Sequence, residues 1–287
     1  MLREKLVLSD GRNFEFLRNG IKSDSAIILH AGTTQDITGW KIWLDAFADQ
    51  GMAGIAIGRS GYVGSSAKPG RITIDIAKDV SELADSLGLR RMVNVGLSGG
   101  GQHAIATGLD SRSAGVVTLG SLAPFEEMGE DFYSGMQQAD LDEYADALRD
   151  INDLVKRFQA WLDKDVAAQF TPKEVSANDK KAQESPSWKI LFDSCDLTMR
   201  AGWDWVADDY SSYLKPWGFN PRDIKVPVII WQGGLDKNVP PQHGKWLAKN
   251  IPNSELKLVE DESHIGLYIN YEREAMLDAM ELLRASN

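Results

Sequence analysis

Short apolar runs alternate with amphipathic helical patterns along most of this chain, and that alternation restricts the fold to a parallel sheet covered on both faces. Ala26 to Leu29 reads as a strand, Trp40 to Gln50 as a helix with Trp40, Trp43, Leu44 and Phe47 at helical spacing, and Ala53 to Ile57 as the next strand. Asp75 to Leu87 follows as a helix with Ile76, Val80, Leu83 and Leu87 on one face. Strands at Met92 to Val95 and Val116 to Leu119 then flank a helix from about Gly100. Ahead of the series, Leu6-Val7-Leu8 and Phe14-Glu15-Phe16 flank Asp10-Gly11, the pattern of an antiparallel hairpin. The expected fold class is α/β, with a mostly parallel central sheet and helices on both faces.

After Leu119 the alternation stops for roughly 90 residues, far beyond an ordinary connection, and it restarts at Val226-Pro227-Val228-Ile229-Ile230-Trp231. An insertion is expected over 122–221, within a core built from 1–121 and 222–287. Leu141 to Trp161 is amphipathic, and Lys164 to Ser187 is charged and reads as a hinge or exposed helix. Five of the nine tryptophans (161, 188, 203, 205 and 217) lie in the insertion, which fits a helical cap over a pocket. Trp203, Trp205 and Trp217 are the candidate substrate contacts there, although tryptophan at helical spacing more often packs a small core. Beyond Trp231 the pattern predicts a helix at Gly244 to Asn250, a strand at Leu256 to Val259 and a terminal helix at Tyr271 to Leu283.

The charge balance narrows the partners. With 31 Lys and Arg against 42 Asp and Glu the net charge is -11, and no basic run is long enough to follow a phosphate backbone. Nucleic acid and anionic membrane are therefore not expected, and a small-molecule substrate is. No segment approaches 18 uninterrupted apolar residues and the N-terminus has no signal-peptide pattern, so a soluble cytoplasmic protein without membrane insertion is expected. A lone Cys195 argues against a disulfide framework, and four scattered His with one Cys offer no metal cluster. Oligomeric state stays open, a homo-oligomer included.

The chemistry concentrates in Val93-Asn94-Val95-Gly96-Leu97-Ser98-Gly99-Gly100-Gly101-Gln102-His103, where a strand gives way to a helix around a serine flanked by glycines. A serine on so sharp a turn needs neighbours without side chains two positions away on each side, and Gly96 and Gly100 fill them. A serine hydroxyl attacks at neutral pH only if a base takes its proton and an acid orients that base. His264, just after the last strand, and Asp236, in the turn Gly233-Gly234-Leu235-Asp236-Lys237-Asn238-Val239-Pro240 after the preceding one, occupy the carboxyl ends of strands where such sheets bind ligands. Asp208, Asp209 and the acidic run 260–262 are the competing acids. His30 reads as shaping the loop after the first parallel strand, and His103 and His243 as structural.

These motifs together resemble the α/β-hydrolase fold family over nearly the whole length of the chain. The matching features are the elbow GLSGG, the loop His30-Ala31-Gly32-Thr33-Thr34, the acid turn, the late histidine, and Arg59-Ser60-Gly61-Tyr62-Val63-Gly64-Ser65, which is similar to the family's R-P-G-Y-G-x-S loop. The resemblance implies Ser98 as nucleophile, His264 as general base and then acid, and Asp236 as the orienting carboxylate. It also implies an oxyanion hole from the backbone N–H of Gly99 and of one residue in the His30 loop. Alignment on the histidine nominates Gly32 for that second donor and alignment on the glycine nominates Thr33; Thr33 is preferred, with Gly32 close behind. Ser263 stands where glycine often precedes the histidine.

The expected activity is that of a cofactor-independent serine hydrolase acting through an acyl-enzyme on a carboxylic ester with a small to medium, largely apolar substrate. Lactone hydrolysis, peptide-terminal cleavage, carbon-carbon hydrolysis and perhydrolysis use the same machinery. A serine in the elbow argues against dehalogenase and epoxide-hydrolase chemistry, which in this family use aspartate there. A ligand-binding or receptor protein on the same fold is the rival from another class.

Overall fold

The computed structural model describes residues 1–162 and 176–285. Eight strands form one sheet: β1 (Leu2–Val7), β2 (Asn13–Arg18), β3 (Ser25–His30), β4 (Ala53–Ile57), β5 (Arg91–Leu97), β6 (Ser113–Leu119), β7 (Val228–Gly233) and β8 (Ser254–Val259). Their spatial order is β1-β2-β4-β3-β5-β6-β7-β8. The hairpin partners β1 and β2 are antiparallel, β2 joins β4 antiparallel, and every other pair is parallel. The expected α/β class with its mostly parallel sheet is what the chain adopts.

Alternation along the central strands divides the interior in two, as the two-residue period of a strand requires. Ile27 and Leu29 of β3 join one apolar cluster with Val93 and Val95 of β5, while Ala26 and Ile28 join the other with Ile55 and Ile57 of β4. Both faces of β3 are thus covered, which is why its sequence is a continuous apolar run. Helix α1 (Lys41–Asp49) buries Trp43, Leu44 and Phe47 on the first side, and α2 (Asp75–Leu87) buries Ile76, Val80 and Leu83 on the other. The short α3 (Gly101–Thr107) follows the serine turn and is buried along its whole length.

Between β6 and β7 the insertion is helical: α4 (Phe125–Met128), α5 (Gln138–Arg149), α6 (Ile151–Leu162), α7 (Ala177–Gln183), α8 (Pro186–Ala201) and α9 (Asp204–Leu214). Its Phe158, Trp205 and Tyr210 belong to the same apolar cluster as Val95 and Leu97 of the sheet, so insertion and core share one interior. The single amphipathic stretch expected over Leu141 to Trp161 is two helices. They break at Asp150, whose backbone is extended and whose carboxylate accepts the N–H of Asn152 at 2.9 Å, a local bond that competes with helix continuation. Of the charged segment Lys164 to Ser187, residues 164–175 lie outside the described residues; the remainder forms α7 and the start of α8.

At the C-terminal end α10 (Pro241–Asn250) precedes β8, and two helices, α11 (His264–Asn270) and α12 (Glu272–Ala285), stand where one was expected. Among the described residues no helix is long and apolar enough to cross a membrane.

Candidate active site

The turn after β5 carries the strain that its glycines predict. Ser98 has φ +51°, a left-handed conformation costing a non-glycine residue about 1–3 kcal/mol, between an extended Leu97 and a helical Gly100. A side chain at Gly96 would meet Gly100 O at 2.5 Å, and one at Gly100 would meet the carbonyls of His30 and Ala31 at 2.3 Å. Packing of β5, α3 and the β3 loop therefore forces glycine at both positions, and the serine is lifted out at the carboxyl end of the sheet.

Asp236 and His264 meet at the neighbouring strand ends. His264 Nδ1 lies 2.6 Å from Asp236 Oδ2, while Asp236 Oδ1 accepts the backbone N–H groups of Asn238 at 2.9 Å and Val239 at 2.8 Å. With its carboxylate fixed on both oxygens, Asp236 assigns the imidazole proton to Nδ1 and leaves Nε2 with a free lone pair, the form a general base needs. Burial disfavours the protonated ring, but the Asp236 carboxylate, helped by Asp140, outweighs it and holds His264 above the ordinary imidazole value. The ring opens α11 because Ser263 caps that helix: its hydroxyl accepts the N–H of Gly266 at 3.1 Å and donates to Asp179 on α7. The serine that replaces a common glycine therefore anchors the start of the His264 helix to the insertion, a role its position alone did not suggest.

The candidate backbone donors of the loop after β3 differ in what they meet. Gly32 N–H is taken by Gln35 Oε1 at 2.8 Å and Thr34 N–H by the Tyr62 hydroxyl at 3.2 Å, whereas Thr33 N–H has no partner among the described residues. Gly99, at the start of the short helical turn after the serine, is in the position where N–H groups lack partners within the turn.

Ser98 and His264 line one cavity of about 110 Å³, with Gly32, Thr33 and Gly99 also in its wall. The insertion adds apolar and aromatic side chains, including Tyr144, Phe158, Leu191, Phe192, Tyr210 and Tyr213, and two carboxyl groups, Asp140 and Glu143; the core adds Gln35, Asn238 and Val239 among others, and among the described residues no lysine or arginine lines the wall. Burial pushes Asp140 up to about 6 and Glu143 up to about 8.

The tryptophans singled out from the sequence are not in this wall. Trp205 is buried against Tyr62 and Phe158 and Trp217 is stacked on Phe219, while Trp203 packs beside Trp205. Trp203, Trp205 and Trp217 are thus corrected from candidate substrate contacts to packing residues; the indole areas are spent joining insertion to core, and tyrosines, which can place a hydroxyl at a polar partner, face the cavity. The competing acids are committed elsewhere: Asp209 binds Arg59 and Arg71, and Asp208 accepts the N–H of Lys68 at 2.7 Å. Among the other histidines, His30 is buried below the loop beside Asn94 and Thr107, and burial depresses it to about 3. His243 bridges Ala123 N–H and Phe132 O, and burial lowers it to about 4. Neither lines the cavity. Among the described residues no group of three or more His, Cys, Asp or Glu is placed to hold a metal ion.

A mostly parallel sheet whose polar groups gather beyond the carboxyl ends of β3, β5, β7 and β8 places the chain among the open α/β proteins that bind ligands at those ends. It belongs to the alpha/beta hydrolase fold family, whose sequence profile matches residues 25–271. The chain is similar to non-heme chloroperoxidase CPO-A1 of Kitasatospora aureofaciens, 29% identical over 231 residues that cover 78% of this chain and 79% of that one. The esterase EaEST of Exiguobacterium antarcticum has a similar structure, with a TM-score of 0.71 at 18% identity over 99% of this chain and 100% of that one. The enol-lactonase of Burkholderia xenovorans LB400 gives 0.72 at 18% identity over 98% and 100%. At such identities the likeness of the two structures is one of fold.

Proposed function

We propose that the chain is a serine hydrolase that cleaves short-chain carboxylic esters through an acyl-enzyme on Ser98, with the insertion serving as its cap. The observation that carries this reading is the 2.6 Å bond between His264 Nδ1 and Asp236 Oδ2, at a cavity that also receives a serine held at φ +51°. In the reaction Ser98 Oγ adds to the ester carbonyl as its proton passes to His264 Nε2. The oxyanion takes the N–H groups of Gly99 and Thr33, and the imidazolium, stabilised by Asp236, protonates the departing alcohol. Water then enters by the same sequence, releasing the acid and restoring the serine. Family membership supports hydrolase chemistry; the choice of ester rests on the cavity.

That cavity favours a small neutral acyl group. A volume of about 110 Å³ is below the roughly 150 Å³ that accommodates a benzene ring, and among the described residues its lining holds the carboxyl group of Asp140 and no lysine or arginine to pair with an anionic acyl chain. In a panel of p-nitrophenyl esters, acetate and butyrate should exceed octanoate in kcat/KM, and a hemisuccinate should fall at least about tenfold below butyrate. Background rates across the whole panel would sink the esterase reading. The relative named a chloroperoxidase gives reason to offer hydrogen peroxide as the acyl acceptor in place of water, which would release a peracid from the same intermediate.

The pH profile supplies a second test. Protonated His264 cannot act as base, so the acid limb of kcat/KM should lie above the ordinary imidazole value, the direction set by Asp236 and Asp140. Removing the negative charge of Asp140 makes the imidazolium less favourable. Asp140→Asn should therefore move the limb to lower pH and raise relative activity on the acid side; a limb that stays in place would separate Asp140 from the base.

A further inference from the structure

We propose that Asp209, on α9 of the insertion, is a positioning residue of the oxyanion hole, acting through Arg59, Tyr62 and Tyr213 to set the direction of the Thr33 N–H. The inference rests on the hydrolase reading above and adds to it a part that the core fold alone does not supply.

The loop from Ala31 to Thr34 is held at several backbone groups on both sides of Thr33. The carbonyls of Ala31 and Gly32 both accept from Arg59, the latter from Nη2 at 3.4 Å, and Thr34 N–H is held by the Tyr62 hydroxyl at 3.2 Å. The Thr33 hydroxyl meets that of Tyr213 at 2.8 Å. A trans peptide directs its C=O and N–H to opposite sides, so turning the Gly32 carbonyl toward Arg59 turns the Thr33 N–H away from it. Gly99 closes the other side: a side chain there would lie 2.1 Å from the Tyr213 hydroxyl and 2.5 Å from Thr33 Oγ1.

Gln35 adds a local clamp, its backbone N–H on the Gly32 carbonyl at 3.2 Å and its Oε1 on the Gly32 N–H at 2.8 Å, while the supports from Arg59, Tyr62 and Tyr213 run to one carboxylate. Arg59 Nε and Nη2 grip Asp209 Oδ1 and Oδ2 at 3.1 and 2.6 Å, and Oδ2 also accepts the hydroxyls of Tyr62 at 2.5 Å and Tyr213 at 2.8 Å, while Arg71 binds Oδ1. The proton order is consistent throughout. Both phenols donate to Asp209, which leaves Tyr62 to accept from Thr34 N–H and Tyr213 to accept from the Thr33 hydroxyl. Asp209 and Arg59 are 0% and 1% exposed, and Asp209 does not line the cavity, so it can act on the reaction only through the groups it holds. Burial opposes its ionisation, yet Arg59 and Arg71 keep it a carboxylate, below the usual range. A donor aimed in advance at the developing oxyanion is the kind of preorganisation that lowers an acyl-transfer barrier.

The test compares Tyr213→Phe, which deletes one hydroxyl, and Asp209→Asn with the wild type. It measures kcat and KM on the best short-chain ester and affinity for an alkyl boronic acid, which mimics the tetrahedral adduct. Tyr213→Phe should lose about 10- to 100-fold in kcat with KM within about threefold, and boronate affinity should fall in parallel with kcat/KM. Asp209→Asn should show the same split, more strongly. Since it strips two buried arginines of their counter-ion and can block folding, Tyr213→Phe alone decides if Asp209→Asn is not recovered. Unchanged kcat in folded Tyr213→Phe, or a rise in KM with boronate affinity intact, would overturn the proposal. A wild type that neither turns over an ester nor binds the boronate would remove the hydrolase reading and this inference together; an active wild type with an unaffected variant removes only the inference.

Discussion

Ser98→Ala should lower kcat on a short-chain ester by on the order of 10⁵- to 10⁶-fold while the protein stays folded. The loss follows from the role: without Oγ no acyl-enzyme forms, and what remains is the contribution of the backbone donors and of binding, roughly 10³- to 10⁴-fold over water. Stability should change little, because Ser98 is only partly buried and its backbone is held at φ +51° by packing around Gly96 and Gly100 rather than by its side chain. Steady-state kinetics beside a thermal melt separate the two effects. If the variant kept more than about a hundredth of wild-type kcat, the nucleophile would lie elsewhere.

His264→Ala should cost kcat a similar factor, on the order of 10⁵ or more, and should also abolish the acid limb of the pH profile. Its effect on stability differs from that of Ser98→Ala. The imidazole is buried and bonded to Asp236, so truncation leaves Asp236 Oδ2 with only a long contact from Gln232 at 3.4 Å, at a cost of about 1–3 kcal/mol. Asp236→Asn keeps the shape and tests the pair from the other side; it should lose about 10⁴-fold in kcat by favouring the wrong tautomer. A kcat within tenfold of wild type for His264→Ala would assign the base to another group.

The sheet is legible in the sequence, and the proposed triad can be placed on it, because each follows from a local requirement. Buried parallel strands demand β-branched runs, and a serine lifted out between strand and helix demands glycine on both sides of the turn. His264 is the one histidine just beyond the last strand, and Asp236 is set apart from the acidic run 260–262 by its place in the turn after β7. What stayed hidden depends on distant pairing. Arg59 and Asp209 are 150 residues apart, and nothing in either neighbourhood announces that one carboxylate will hold two arginines and two tyrosines. The choice between Gly32 and Thr33 turns on Gln35, whose side chain occupies the Gly32 amide, a contact no alignment of the loop displays. Tryptophan drew attention by rarity, yet Trp205 and Trp217 are 1% and 2% exposed and pack the join between insertion and core. Tyr210 and Tyr213 of α9, by contrast, line the cavity. Asp150 split one amphipathic pattern into two helices, and the Ser263 cap made a helix start at His264, because side chains bonded to nearby backbone outweighed periodicity.

The central claim is that acyl transfer passes through Ser98. Its most direct test is to treat the folded wild type with a fluorophosphonate and map the adduct by peptide mass spectrometry. The account predicts one stoichiometric adduct on Ser98, lost in Ser98→Ala and strongly slowed in His264→Ala; no adduct, or an adduct on another hydroxyl, would contradict it.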